Sequence, residues 1–169
     1  MTEPVYLDGV ELRRGFGVTP LDEIRELSGL QFLQGVIDGD FPAPTMGGTL
    51  GFRLLEVGEG IAVFTGIPTD QHFNPAGVVH GGYASTLLDS AMGCACHSLS
   101  PKGYSNTTVE LKVNLVRPIL PKVGRLYAKS KVIHTGRQIL TADGELVDEN
   151  GKLYAHGTTT CMTFELPTG

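Results

Sequence analysis

Between Ala76 and Pro101 the chain carries one charged side chain, Asp89. That run limits the possible folds more than any other feature. It reads as a helix from about Gly82 to Ser98, with Ala84, Leu87, Leu88, Ala91, Met92, Ala95 and Leu99 as an apolar stripe at helical spacing. Small residues (Ser85, Ser90, Gly93, Cys94, Cys96) fill most of the remaining surface, so a sheet can wrap this helix closely. Ser85, Asp89, Gly93 and Cys96 share one face. A carboxylate on a mostly enclosed helix is costly unless it is paired or put to chemical use. Asp89 is therefore either a hydrogen-bonded residue of the helix's polar side or a catalytic group. Just ahead of the helix runs Asn74-Pro75-Ala76-Gly77-Val78-Val79-His80-Gly81-Gly82. Glycines at a helix start free backbone amides where the dipole is positive, which suits an anion or a developing oxyanion. The plainer reading is a tight turn, with His80 as a cap or core residue.

The flanking sequence predicts strands. Leu50–Val57 and Ile61–Ile67 are short apolar runs around the turn Gly58-Glu59-Gly60. Val109, Leu111, Val113 and Leu115 alternate with Glu110, Lys112 and Asn114, a period of two. Strands near Arg125–His134, Gln138–Val147 and Lys152–Phe164 follow, with Asn150-Gly151 in the last turn. Upstream, one helix is expected from about Pro20 to Asp38, with Thr19 as cap and Gly29 as its weak point. Tyr6–Leu12 is a hairpin around Asp8-Gly9 or a loose arm, and Gly39–Gly48 reads as a loop. The order helix, two strands, helix, four strands is an α+β pattern of antiparallel hairpins. It divides the chain into an N-terminal arm and helix, residues 1–45, and one domain, residues 46–169.

A chain of 169 residues with 41% hydrophobic and 18% charged residues is a folded domain. A net charge of −5 argues against a general nucleic-acid binder, and no run approaches the about 20 apolar residues of a membrane helix. Met-Thr-Glu-Pro carries no secretory pattern, and three cysteines without framework spacing suit reduced thiols, so a cytoplasmic protein is expected. The charge is uneven. Eight basic residues stand against one acidic residue, Glu110, between Lys102 and Arg137. Either this rim meets a small polyanion or strands simply carry Lys and Arg on their solvent faces.

The segment Asn74–Gly93, with Val109–Pro118 and His134-Thr135-Gly136-Arg137, resembles the hotdog-fold acyl-CoA thioesterases of the PaaI-like (phenylacetate-degradation) type. The resemblance spans roughly Thr49–Phe164 and rests on the combination of an Asn-Pro loop, His-Gly-Gly and an acid nine positions after the His. It implies an antiparallel sheet wrapped around one central helix, here with an extra N-terminal helix. It also implies hydrolysis of an acyl-CoA to free acid and CoA. Asp89 would be the catalytic carboxylate and the Gly81 amide the carbonyl-polarising donor, with Asn74 and His80 orienting the thioester and its loop. Relatives of the hydroxybenzoyl-CoA type often carry Ser or Thr at the position of Gly93; the glycine matches the PaaI-like branch. Arg137 matches a region that touches the CoA nucleotide, and Arg117, Lys131 and Gly82 are further candidates for CoA contact. No metal and no cofactor are implied, CoA being part of the substrate. The implied assembly is a homodimer with sites at its interface, often paired into a tetramer.

Geometry adds a constraint. Gly81 and Asp89 are eight residues apart on one helix, about 12 Å of rise, yet both must lie about 3 Å from one reacting carbonyl. If both act, they come from two copies of the chain. Rival readings are weaker. Cys94 and Cys96 point about 200° apart on a helix, which disfavours a metal site with His80 and His97. A cysteine nucleophile needs an activating neighbour that the sequence does not supply. The serious alternative is a non-catalytic acyl-CoA-binding module, a sensor or carrier of the same fold.

Overall fold

The computed structural model describes residues 4–167, so the Met-Thr-Glu start considered above lies outside it. Strands β1 (Val5–Leu7) and β2 (Val10–Leu12) form a hairpin. Its turn residues Asp8 and Gly9 both have positive φ, 55° and 76°, as a two-residue hairpin turn requires. The hairpin is anchored rather than loose: the Asp8 carboxylate takes a forked pair of bonds from Arg125, one of 2.7 Å, and Arg53 lies 3.6 Å away.

The upstream helix is two helices, α1 (Leu21–Arg25) and α2 (Gly29–Asp38). Thr19 does not cap: Pro20 holds that position without a side-chain bond. Ser28 breaks the run. Its hydroxyl accepts from the Gln31 N–H at 3.3 Å while Gln31 Oε1 accepts from the Ser28 N–H at 3.0 Å, a capping box that starts a new helix. Gly29 is the point of closest approach. A Cβ there would lie 1.7 Å from the His97 carbonyl oxygen, and its N–H donates to Ser100 O. The expected loop at 39–48 ends in helix α3 (Thr45–Leu50), so the next strand starts at Phe52 rather than Leu50.

Strands β3 (Phe52–Gly58) and β4 (Ile61–Gly66) are followed by a short 3₁₀ turn, Asp70–His72, and the long helix α4 (Gly81–His97). Then come β5 (Tyr104–Leu115), β6 (Leu126–Thr135), β7 (Ile139–Asp148) and β8 (Leu153–Glu165). The last six strands make one antiparallel sheet in the order β3-β4-β6-β7-β8-β5. It curls around α4, the architecture the resemblance implies. The sheet's inner face is built from small residues, Ala62, Ala128, Ala142 and Ala155, all fully buried, which lets α4 sit close. At Gly144 a Cβ would already be 3.0 Å from Met92 Cγ. Ser130 ties helix to sheet, its hydroxyl lying 2.8 Å from Ala91 O and 2.9 Å from Ala62 O. Strand β5 is a sheet edge, and Val109, Leu111 and Leu115 on it are exposed. Among the described residues no helix is long and apolar enough to cross a membrane.

Candidate active site

Asp89 sits in the third turn of α4, partly exposed, beside β5. Its Oδ1 accepts a 3.0 Å hydrogen bond from the Thr108 hydroxyl. Thr108 stands at a β-bulge: Thr108 pairs with Cys161 and Glu110 with Thr160, leaving Val109 as the extra residue. Such a bulge re-aims a side chain locally. The bond fixes one carboxylate oxygen and leaves the other free to act. Gly93, one turn further on, leaves space beside this pair, since a Cβ there would come no nearer than 3.8 Å to Thr108 Oγ1. The Cys94 thiol is pushed up to about 12 by burial and by the Asp89 charge, and Cys96 is raised by its hydrogen bond to Cys161 and by burial. Neither has the lowered pKa of a nucleophilic thiol.

A second cluster forms at the start of α4. Asn74 Oδ1 accepts from the N–H groups of Ala76 (2.9 Å) and Val78 (3.3 Å) and so shapes the loop; its amide nitrogen takes no part. His80 is the N-cap, its Nδ1 accepting from the Gly82 N–H at 2.8 Å, which puts the ring proton on Nε2. That bond occupies the Gly82 amide. The Gly81 N–H has no hydrogen-bond partner among the described residues. It lines a cavity of about 320 Å³ together with Asn74, Leu115, Arg117 and Pro118. A Cβ on Gly81 would meet Leu115 Cδ1 at 2.5 Å, so only glycine leaves this corner open without moving that side chain. Arg117 donates to Leu153 O and lies 5.9 Å from the centre of the Tyr154 ring.

Asn74, Gly81 and Arg117 thus share one cavity, His80 immediately precedes Gly81 in the chain, and Asp89 lies about 12 Å along the helix from Gly81. Lys131 is on the outer face of the sheet, opposite Asp143, and Lys129 is opposite Glu145. These cross-strand pairs match the plainer reading of the basic segment. Arg137 is exposed in the β6–β7 turn. Sequence reasoning missed Thr108, because nothing in the alternation of β5 announces the bulge that turns it toward Asp89.

Comparison with known proteins gives the chain's family. The thioesterase superfamily profile matches residues 76–155. The acyl-coenzyme A thioesterase PaaI of Escherichia coli is 31% identical over 106 residues, 63% of this chain and 73% of that protein. The phenylacetic acid degradation-related protein of Ralstonia eutropha superposes with a TM-score of 0.70 at 30% identity, covering 78% of this chain and 98% of that one. The solved E. coli PaaI superposes with a TM-score of 0.69 at 25% identity, covering 83% and 97%. The chain belongs to the PaaI-like branch of the hotdog thioesterases, and it is a thioester hydrolase.

Proposed function

We propose that the chain hydrolyses an acyl-CoA to free acid and CoA at two equivalent sites, each shared between the subunits of a dimer. One observation carries this reading. Strand β5 holds Thr108, bonded to Asp89, in its first half and Leu115 at its last position, against Gly81. Two copies of β5 paired antiparallel about a two-fold axis at Leu111–Lys112 bring Thr108 opposite Leu115 of the partner subunit. The unpartnered Gly81 amide of one copy then meets the Asp89 carboxylate of the other, twice per dimer. The exposed apolar side chains along this edge support the pairing, since a long unprotected edge strand is a template for association. Paired dimers would make the tetramer.

In the shared site the Gly81 N–H, aided by the positive end of α4, stabilises the oxyanion as the carbonyl becomes tetrahedral. Asp89 either attacks the carbonyl carbon, giving a mixed anhydride that water cleaves, or takes a proton from an attacking water. In both routes the C–S bond breaks and the CoA thiolate leaves and is protonated. Asn74, through its free amide nitrogen, and His80, through its Nε2–H, orient the thioester. Arg117, in the same cavity, faces the CoA portion, with Gly82 next to Gly81 and with Arg137 and Lys131 as further CoA contacts. The three free thiols support a cytoplasmic setting.

The test is an acyl-CoA panel followed by free-thiol release, with Asp89→Asn as control. The variant should lose at least about 10³-fold in kcat while still binding acyl-CoA. A wild-type chain that binds acyl-CoA without releasing thiol is a sensor or carrier instead. Single turnover in ¹⁸O-water tests for attack: label in the Asp89 carboxylate shows an anhydride that water opened at the Asp89 carbon, whereas label only in the released acid is common to base catalysis and to an anhydride opened at the acyl carbon.

A further inference from the structure

A largely apolar cavity of about 520 Å³ opens beside the Asp89–Thr108 pair. Gly93, Cys94 and Thr108 line it on the side next to Asp89. Its other walls come largely from the N-terminal segment, through Val18, Leu21, Ile24, Phe32, Val36 and Met46. This segment lies outside the stretch 76–155 that the superfamily profile matches.

Three features say what the cavity accepts. First, no charged side chain lines it. Second, three of its polar side chains are already engaged: the Asn106 amide nitrogen lies 3.2 Å from Gly93 O, its Oδ1 lies 2.9 Å from His97 Nδ1, and the Thr108 hydroxyl bonds Asp89. An ionised acyl group would be desolvated there with no charged partner to compensate. Third, the mouth is apolar and unusually exposed, with Val18 at 86%, Met46 at 54% and Leu21 at 47%. Gly93 fits this picture. A glycine in mid-helix is less favourable than alanine, yet no neighbour crowds it, and what it preserves is open space beside Thr108.

We propose that residues 17–46 form the outer wall of the acyl subsite, and that the substrate's acyl group is an uncharged, apolar chain of at least six carbons running from Thr108 toward Leu21 and Met46. This rests on the thioesterase reading above. The volume falls within the about 300–1,000 Å³ typical of small-molecule sites, far more than an acetyl group can use. The chain's contact with the cavity begins beside the carboxylate that acts on its carbonyl, which is the continuity an acyl subsite needs.

The test compares kcat/KM for acetyl-, hexanoyl-, decanoyl- and adipoyl-CoA in the wild type and in Leu21→Glu and Met46→Glu. Both positions are surface-exposed, so the fold should survive, and circular dichroism checks it. Each buried methylene is worth about 0.8 kcal/mol, about fourfold, so hexanoyl-CoA should exceed acetyl-CoA by about 100-fold or more. Adipoyl-CoA, with its terminal carboxylate, should fall at least about 30-fold below hexanoyl-CoA. Each Glu variant should lower the ratio of decanoyl to acetyl turnover at least tenfold; CoA is common to both substrates, so its own contacts cancel in that ratio. A flat chain-length profile, a preference for adipoyl-CoA, or ratios unmoved in both folded variants would overturn the subsite while Asp89→Asn still abolishes hydrolysis. Failure of every thioester to be hydrolysed would instead overturn the thioesterase reading.

Discussion

The single hydrogen bond from Thr108 to Asp89 does two things at once. It fixes the carboxylate's rotamer, and it spends one of its oxygens so that the other faces the reaction. Thr108→Val keeps the shape and removes the hydroxyl; kcat should fall about 10–100-fold with KM for acyl-CoA little changed, and Thr108→Ser should recover most of the loss in steady-state assays. Asp89 was legible in the sequence because it is alone in a charge-free helix. Thr108 was not, because its role depends on a bulge that pairs residues distant in the chain. Two histidines, the buried His72 and the half-buried His97, make stability fall between pH 8 and 5. Burial holds both His72 and His97 below the ordinary value of 6.5. A depressed histidine pKa means that the unfolded chain takes up its proton first. Stability is therefore full above about pH 6.5 and declines as pH falls from there toward each folded-state value, by at most about 1.4 kcal/mol per pH unit per histidine. Tm measured from pH 8 to 5 should follow that course, and His97→Gln should flatten it.

At the scale of elements, the six strands and the central helix were readable because their hydrophobic periods are long and uninterrupted: α4 by its stripe, β5 by its alternation. The N-terminal helix was misread as one unit because Leu21, Ile24, Leu27, Leu30, Leu33 and Ile37 keep helical spacing straight through the break at Ser28. The Ser28–Gln31 capping pattern was the available signal. Its energetic weight can be tested: Ser28→Ala should destabilise the fold by about 1 kcal/mol in urea titrations. Gly29→Ala should cost considerably more, since its methyl meets the His97 carbonyl, a backbone atom that cannot swing aside. The expected loop at 39–48 concealed α3 because two glycines and a proline near its start carry no helical period. These are the elements that form the wall of the large apolar cavity. The misread part of the fold is thus the part proposed to choose the acyl group, built from packing between segments rather than from any pattern within one.

For the whole molecule the question is whether one chain can hold a complete site, and the helix's own length argues that it cannot. Gly81 is the first residue of α4, where proline is well tolerated because that N–H has no intrahelical partner. His80, at φ −62° and ψ 138°, already has the backbone conformation that precedes proline. Gly81→Pro therefore deletes the proposed oxyanion donor while the helix start is kept, and at Cβ it meets only the end of the flexible Leu115 side chain. Gly81→Pro and Asp89→Asn should each be inactive alone. Mixed, unfolded and refolded together, they should regain activity. Each heterodimer would join the intact Asp89 of the Gly81→Pro chain to the intact Gly81 of the Asp89→Asn chain at one site, and place both lesions at the other. With random pairing half the dimers are mixed and each has one working site, so about a quarter of wild-type activity per chain should return. If each site lay within a single chain, every site in the mixture would carry one lesion and nothing would return. Size-exclusion chromatography of the refolded mixture would confirm that dimers had formed, so that a null result counts against the shared site rather than against assembly.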